Sequence, residues 1–88
     1  MTRRTKPKFK IIEEDLTDDD DWGQTNPVGN NRFEIIIDSK HRSERERLDT
    51  VIHEAIHVAD FNMAESKVKR IAEIVADALW RQNYRRRK

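Results

Sequence analysis

Between residues 43 and 84 the apolar side chains recur every three or four positions, and the pattern is interrupted once, at Asn62 and Met63. That period belongs to α-helices that bury one stripe each. Ser43 followed by Glu46 has the spacing of a capping box and opens a helix predicted to run to about residue 61, with Leu48, Val51, Ile52, Ala55, Ile56 and Ala59 as its core face. A second helix, from about residue 64 to 84, is expected to bury Val68, Ile71, Ala72, Val75, Ala78 and Leu79. So short a link makes the two antiparallel neighbours.

Upstream the period changes from 3.6 to 2. In RFEIIID, residues 32–38, Phe33, Ile35 and Ile37 alternate with Arg32, Glu34 and Asp38, which predicts a strand; Ile36 breaks the alternation and implies partial cover on both faces. Residues 8–16, KFKIIEEDL, form a shorter β-leaning run. The stretch between them, TDDDDWGQTNPVGNN at residues 17–31, holds both glycines, Pro27 and three asparagines and reads as an acidic, turn-rich loop. The two strands are expected to pair as a hairpin across it, and a lone hairpin needs a helix to cover it. The expected fold class is α+β: a short β-hairpin or small antiparallel sheet, then an antiparallel pair of long helices, in one domain over residues 1–88.

A chain of 88 residues with 40% charged and 35% hydrophobic side chains has a thin core, and calls for a staple such as a metal or a partner subunit in a dimer. With no cysteine, that staple is not a disulfide, and thiolate nucleophiles and iron–sulfur clusters are excluded. No apolar run approaches the roughly 18 residues of a bilayer span, and the first residues lack a signal-type apolar stretch, so the expectation is a cytoplasmic protein with no membrane partner. Net charge is only +1, yet Arg3, Arg4, Lys6, Lys8 and Lys10 at one end and Arg85, Arg86, Arg87 and Lys88 at the other are basic. Residues 1–7 and 85–88 are expected to be solvated, frayed ends, with nucleic acid as the partner they would suit otherwise. The run Asp18, Asp19, Asp20, Asp21 lacks the alternating spacing of a calcium loop and reads as a solvated acidic segment.

The chemistry concentrates in VIHEAIHVAD, residues 51–60. Glu46, Asp49, His53, His57 and Asp60 are three or four positions apart and share a helix face opposite the apolar one. Histidines at i and i+4 project in parallel about 6 Å apart and can both bond one metal ion. Glu54 points roughly 100° away around the helix, too far to be a third ligand from the same turn, but its carboxylate can reach a water held in the metal's open position.

RFEIIID, then LDTVIHEAIHVAD, then ESKVKRIAEIVADALWR resembles the zincin-type metallopeptidases, most nearly the very small bacteriophage and bacterial members related to the ImmA/IrrE and SprT-like groups. The resemblance covers roughly residues 32–82. It implies zinc on His53 and His57, Glu54 as general base, and a third ligand from the following turn or helix. Larger zincins have an extra helix behind the sheet and a second subdomain walling the cleft, and this chain has room for neither.

A catalytic zinc keeps three protein ligands and an open position. For the third, the chain offers Asp60, Glu65, Glu73 and Asp77. Glu65 is preferred, because it opens the second helix beside His57 and because a glutamate commonly opens that helix in the resembling phage proteins; Glu73 is second. Asp49 and Asp60 are candidate acceptors for the outer imidazole N–H groups. The implied activity is peptide hydrolysis, with an extended peptide along the edge of the strand at residues 32–38. No oxyanion-stabilising residue stands out: His41, just before the first helix, is a candidate, Tyr84 lies too far along the second, and a surface role is the expectation for both. The alternative is a non-catalytic module that uses its basic ends on nucleic acid or an acidic protein.

Overall fold

The computed structural model describes residues 6–16, 21–41 and 43–86. Its elements are β1 (Lys8–Glu14), β2 (Gly23–Gly29), β3 (Arg32–Asp38), α1 (Glu44–Ala59) and α2 (Glu65–Arg81). The fold is α+β, as the periodicities imply. The sheet, however, has three strands in the order β1-β3-β2. β3 occupies the middle, where its run of three isoleucines is shielded along both edges. β1 pairs with it in parallel, Lys8 opposite Arg32 and Glu14 opposite Asp38, and β2 pairs antiparallel, Gly23 opposite Ile37 and Thr25 opposite Ile35.

Two expectations are corrected here. The strands at 8–14 and 32–38 do not form a hairpin with each other; the hairpin partner of β3 is β2, which lies inside the stretch read as a loop. Glycine, asparagine and proline hide this strand because each disfavours pairing in mid-sheet. β2 is an edge strand, where a missing N–H is tolerated, and Val28 is the extra residue of a bulge between Pro27, opposite Phe33, and Gly29, opposite Arg32. The chain turns back at Asn30 and Asn31, the latter at φ 55, a left-handed conformation that asparagine accepts more readily than most residues. With both neighbours in place, β3 has no edge open to a peptide.

Ser43 caps α1 as its spacing predicts, its Oγ accepting the Glu46 N–H at 3.1 Å. Direction follows from two contacts. Glu65, at the start of α2, meets His57 near the end of α1, while Arg86, just beyond α2, pairs with Glu44 at the start of α1. The helices are therefore antiparallel. α1 lies over the sheet, with Val58 packed on Ile35 and Ile37, both 0% exposed, and with Phe33, Val51 and Ala55 around them. α2 packs on α1 through Val68, Ala72 and Ala76. The seam thus runs through Ala76, while Val75 and Ala78, expected inside, are exposed. Alanines at a contact allow close approach of two helices, and here they win over the larger valine.

Asp38 closes the far end of β3: buried, its carboxylate accepts the backbone N–H groups of Leu16 at 3.2 Å and Lys40 at 3.3 Å. The chain's last described residues are also held. Arg85 lies over the Trp80 ring, 3.3 Å from its centroid, and donates to the Trp80 carbonyl. Arg86 forks onto Glu44 at 2.8 and 3.0 Å and reaches Glu13 at 2.7 Å, which Arg47 also grips at 2.6 Å. Arg85 and Arg86 are therefore not frayed, because local carboxylates and an indole face offer them partners. Residues 1–5, 17–20, 42 and 87–88, with Arg3, Arg4, Arg87, Lys88 and three of the four consecutive aspartates, lie outside the described residues. Among the described residues no helix is long and apolar enough to cross a membrane.

Ile35→Ala should cost about 2–5 kcal/mol in urea unfolding, the usual range for emptying a fully buried aliphatic site. The hydrogen bond from Arg47 holds the Glu13 carboxyl below its ordinary value; slight burial opposes this, and Arg86 adds to the lowering. A carboxyl lowered on folding stabilises above its unfolded pKa, and that contribution is lost as pH falls through the folded value. Arg86→Ala is expected to lower the unfolding midpoint slightly at pH 7, and the difference from the parent should vanish in acid below the carboxylate range and shrink in high salt.

Candidate metal centre

His53 and His57 stand one turn apart on α1, their ring centroids 5.1 Å apart and edge to face. Both Nε2 atoms converge on the carboxylate of Glu65, His57 at 2.5 Å from Oε1 and His53 at 3.2 Å from Oε2. These three residues present donor atoms that all lie within 4.8 Å of one another, and among the described residues they are the group so arranged. A tetrahedral zinc with bonds of about 2.0–2.2 Å keeps its donors roughly 3.3–3.6 Å apart, so the His57–Glu65 contact would open by about 1 Å to admit it. The two-nitrogen, one-oxygen set suits zinc.

The turn between the helices makes this meeting possible. α1 stops at Ala59 with Asp60 as C-cap, its N–H bonded to the Ile56 carbonyl, and only five residues separate it from α2 at Glu65. Phe61, within that turn, stacks on Phe33 of β3 at 6.2 Å and meets the His57 ring edge at 6.3 Å. The turn is thereby pinned to the sheet. No side chain caps α2, and Glu65, in the first turn where the helix dipole favours an anion, faces the histidines.

The histidine stripe is less exposed than its position opposite the apolar residues suggests. The side chains of His53 and His57 are 18% and 14% accessible, because α2 covers one flank. They open onto a cleft of about 540 Å³ whose other walls include Trp22, Gly23, Asp49, Thr50 and Lys69. Burial alone pushes the Glu65 carboxyl upward, but the hydrogen bond from His57 and the charge and hydrogen bond of His53 outweigh it, leaving the group below its ordinary value. Four carboxylates, those of Asp21, Asp49, Glu54 and Glu65, share the cleft with one lysine, an environment that favours a cation.

No family model, curated protein or solved structure matches the chain. The site therefore stands on its own geometry.

Glu54 turns away from the two histidines toward β2 and is buried, 8% exposed, while still lining the cleft. Its Oε1 accepts from Thr25 Oγ1 at 2.7 Å. The other candidates lie elsewhere. Asp49 lines the cleft but pairs with Arg45 at 3.8 Å, and Asp60 accepts from the Asn62 N–H at 3.3 Å. Glu73 is exposed on α2, and Asp77 pairs with Arg81 at 3.1 Å. The His41 ring lies 5.0 Å from the Trp22 ring, and its Nε2 donates to the Trp22 carbonyl at 3.2 Å, so it holds a wall of the cleft. Tyr84 lines a separate hollow with Leu48, Val51 and Trp80.

Sequence reasoning missed Trp22, Gly23 and Thr25. All three sit at or in β2, whose helix-facing side carries a glycine and a threonine and so leaves no apolar alternation to detect.

One zinc ion per chain is expected in equilibrium dialysis. The unfolding free energy should rise with zinc as RT ln(1 + [Zn]/Kd), about 2.7 kcal/mol at a hundredfold excess over Kd, and the thermal midpoint with it. His57→Ala should abolish the shift, and Glu65→Ala should weaken binding by more than the roughly 10–100-fold that loss of an outer partner costs.

Proposed function

We propose that the protein is a zinc-dependent peptidase built on a minimal zincin-like core. The supporting observation is the convergence of His53, His57 and Glu65 from two helices upon one point, with the buried carboxylate of Glu54 lining the same cleft. Three protein donors leave a fourth tetrahedral position free, the arrangement of catalytic rather than structural zinc. When bound, zinc supplies Lewis-acid polarisation of a scissile carbonyl and a water acidified to a pKa of about 7.

The chain's own residues do the rest. Glu54 takes a proton from the attacking water and returns it to the departing amine, a transfer worth typically 10²–10⁴-fold. Trp22, 51% exposed, offers an apolar wall beside the reacting centre. A peptide strand has no access to β3, so a substrate pairing with the sheet beside the cleft would use the outer edge of β2.

One observation favours a second reading, a nucleic-acid-binding module. Lys8, Phe9, Lys10, Val28, Arg32 and Phe33 line a groove of about 410 Å³ at the sheet's end together with Glu34, which pairs with Lys10 at 3.5 Å, so two further cations stand beside an exposed aromatic ring. That reading moves from the chain's ends to β1, since Arg85 and Arg86 are engaged within the molecule. Lys8→Glu with Lys10→Glu would then weaken single-stranded oligonucleotide binding and flatten its salt dependence, with no peptidase activity in the parent.

Under the peptidase reading, Glu54→Gln is expected to lose cleavage of an unfolded protein substrate by at least about 100-fold while still binding one zinc ion. Cleavage that survives Glu54→Gln removes Glu54 from the role of base.

A further inference from the structure

A buried carboxylate must be paired or hydrogen-bonded, and a glutamate has three rotatable bonds that can carry it away from a productive position. The structure restricts Glu54 from two sides. Thr25 Oγ1 lies 2.7 Å from Glu54 Oε1 and 3.0 Å from the Glu54 main-chain oxygen; its single proton goes to the nearer, charged carboxylate oxygen, with the carbonyl as a second acceptor within reach. Two positions earlier on the same face of β2, the backbone of Gly23 passes so close to α1 that a Cβ there would fall 2.6 Å from Thr50 Cγ2, 3.1 Å from Glu54 Cγ and 3.3 Å from Glu54 Oε2. One carboxylate oxygen is thus tied to Thr25 and the other lies over bare backbone at Gly23.

The support beneath these two residues is buried and paired. Gly23 pairs with Ile37 and Thr25 with Ile35, the two fully buried side chains of the central strand. The cradle is therefore fixed to the most deeply buried part of the sheet, and α1 reaches it at the residue directly after His53.

We propose that Gly23 and Thr25 form a seat that fixes the Glu54 carboxylate, with Thr25 acting as the positioning residue for the base. The seat itself is independent of the activity; its catalytic consequence rests on the peptidase reading. Threonine is needed for its hydroxyl and not for its shape, so valine removes the bond with nearly the same volume and an equal liking for strands, and serine keeps it.

Two measurements test this. In metal-free protein, a double-mutant cycle of Thr25→Val and Glu54→Ala followed by urea unfolding should show non-additivity of about threefold or more in the unfolding constant. In zinc-loaded protein, Thr25→Val should lower kcat by tenfold or more with KM and zinc affinity unchanged, and Thr25→Ser should recover most of it. Thr25→Ala replaces valine in both measurements if the valine variant does not fold. Additive effects in the cycle overturn the seat, with or without a change in kcat. If the parent cleaves nothing, the peptidase reading fails and the cycle alone decides the seat. If the parent cleaves and Thr25→Val keeps its kcat within twofold, or serine gives no recovery, the positioning role is overturned.

Discussion

The rotation of α1 about its own axis is the constraint on which the site depends. Val58 is driven onto Ile35 and Ile37 by the need to remove three aliphatic side chains from water. Once Val58 faces the sheet, Glu54, one turn earlier, must face it as well. His53 and His57 then lie about 100° around the helix, at the flank that α2 covers. A few tens of degrees of error would aim Glu54 at solvent or His57 into the sheet. Phe61 works in the same direction, because its stack on Phe33 fixes where the chain leaves α1 and so where Glu65 enters.

Much of this geometry is legible in the order of residues. The Ser43 cap and the helical recurrence of apolar positions place both helices to within a few residues at each end. The i, i+4 histidines need only a helix to become neighbours, and Glu65 needs only a short turn. β2 was invisible for a physical reason: an edge strand can be built from glycine, asparagine and proline when its neighbour carries the hydrophobic cost, and nothing in its own composition reports that it is paired. With β2 goes knowledge of Gly23 and Thr25, whose meaning comes from what stands opposite them. The parallel pairing of β1 with β3 was hidden likewise, since parallel and antiparallel partners demand the same alternation. Ala76 escaped because the helical stripe passes through its larger neighbour Val75 and on to Ala78, although small volume is what a close helix contact selects.

A chain with so little apolar surface relies on polar ties at its periphery. Glu13 receives Arg47 and Arg86, and Glu44 receives Arg86 in a two-point fork, so a residue near the end of the chain joins the first strand to the first helix. Each exposed pair contributes modestly in water, but the network links three segments far apart in sequence. On the opposite side, the cleft gathers carboxylates around the two histidines, and that self-repulsion is a cost the fold carries unless a cation is bound. The Glu13, Glu44, Arg47 and Arg86 network thus balances its charges internally, whereas the cleft holds an excess of carboxylates that Arg45, paired with Asp49, and Lys69 offset only in part.

The tight approach at Gly23 also governs how β2 can align on β3. A one-residue slip would bring Gln24 or Trp22 against Thr50, where even a methyl group has no room, and would turn the Thr25 hydroxyl away from α1. The bulge at Val28 takes up the resulting mismatch at the other end of the strand, near the turn, rather than beside the helix. A strand with almost no hydrophobic preference of its own is therefore held in register by steric exclusion at one glycine, and the alignment of the sheet edge is decided where the base is seated.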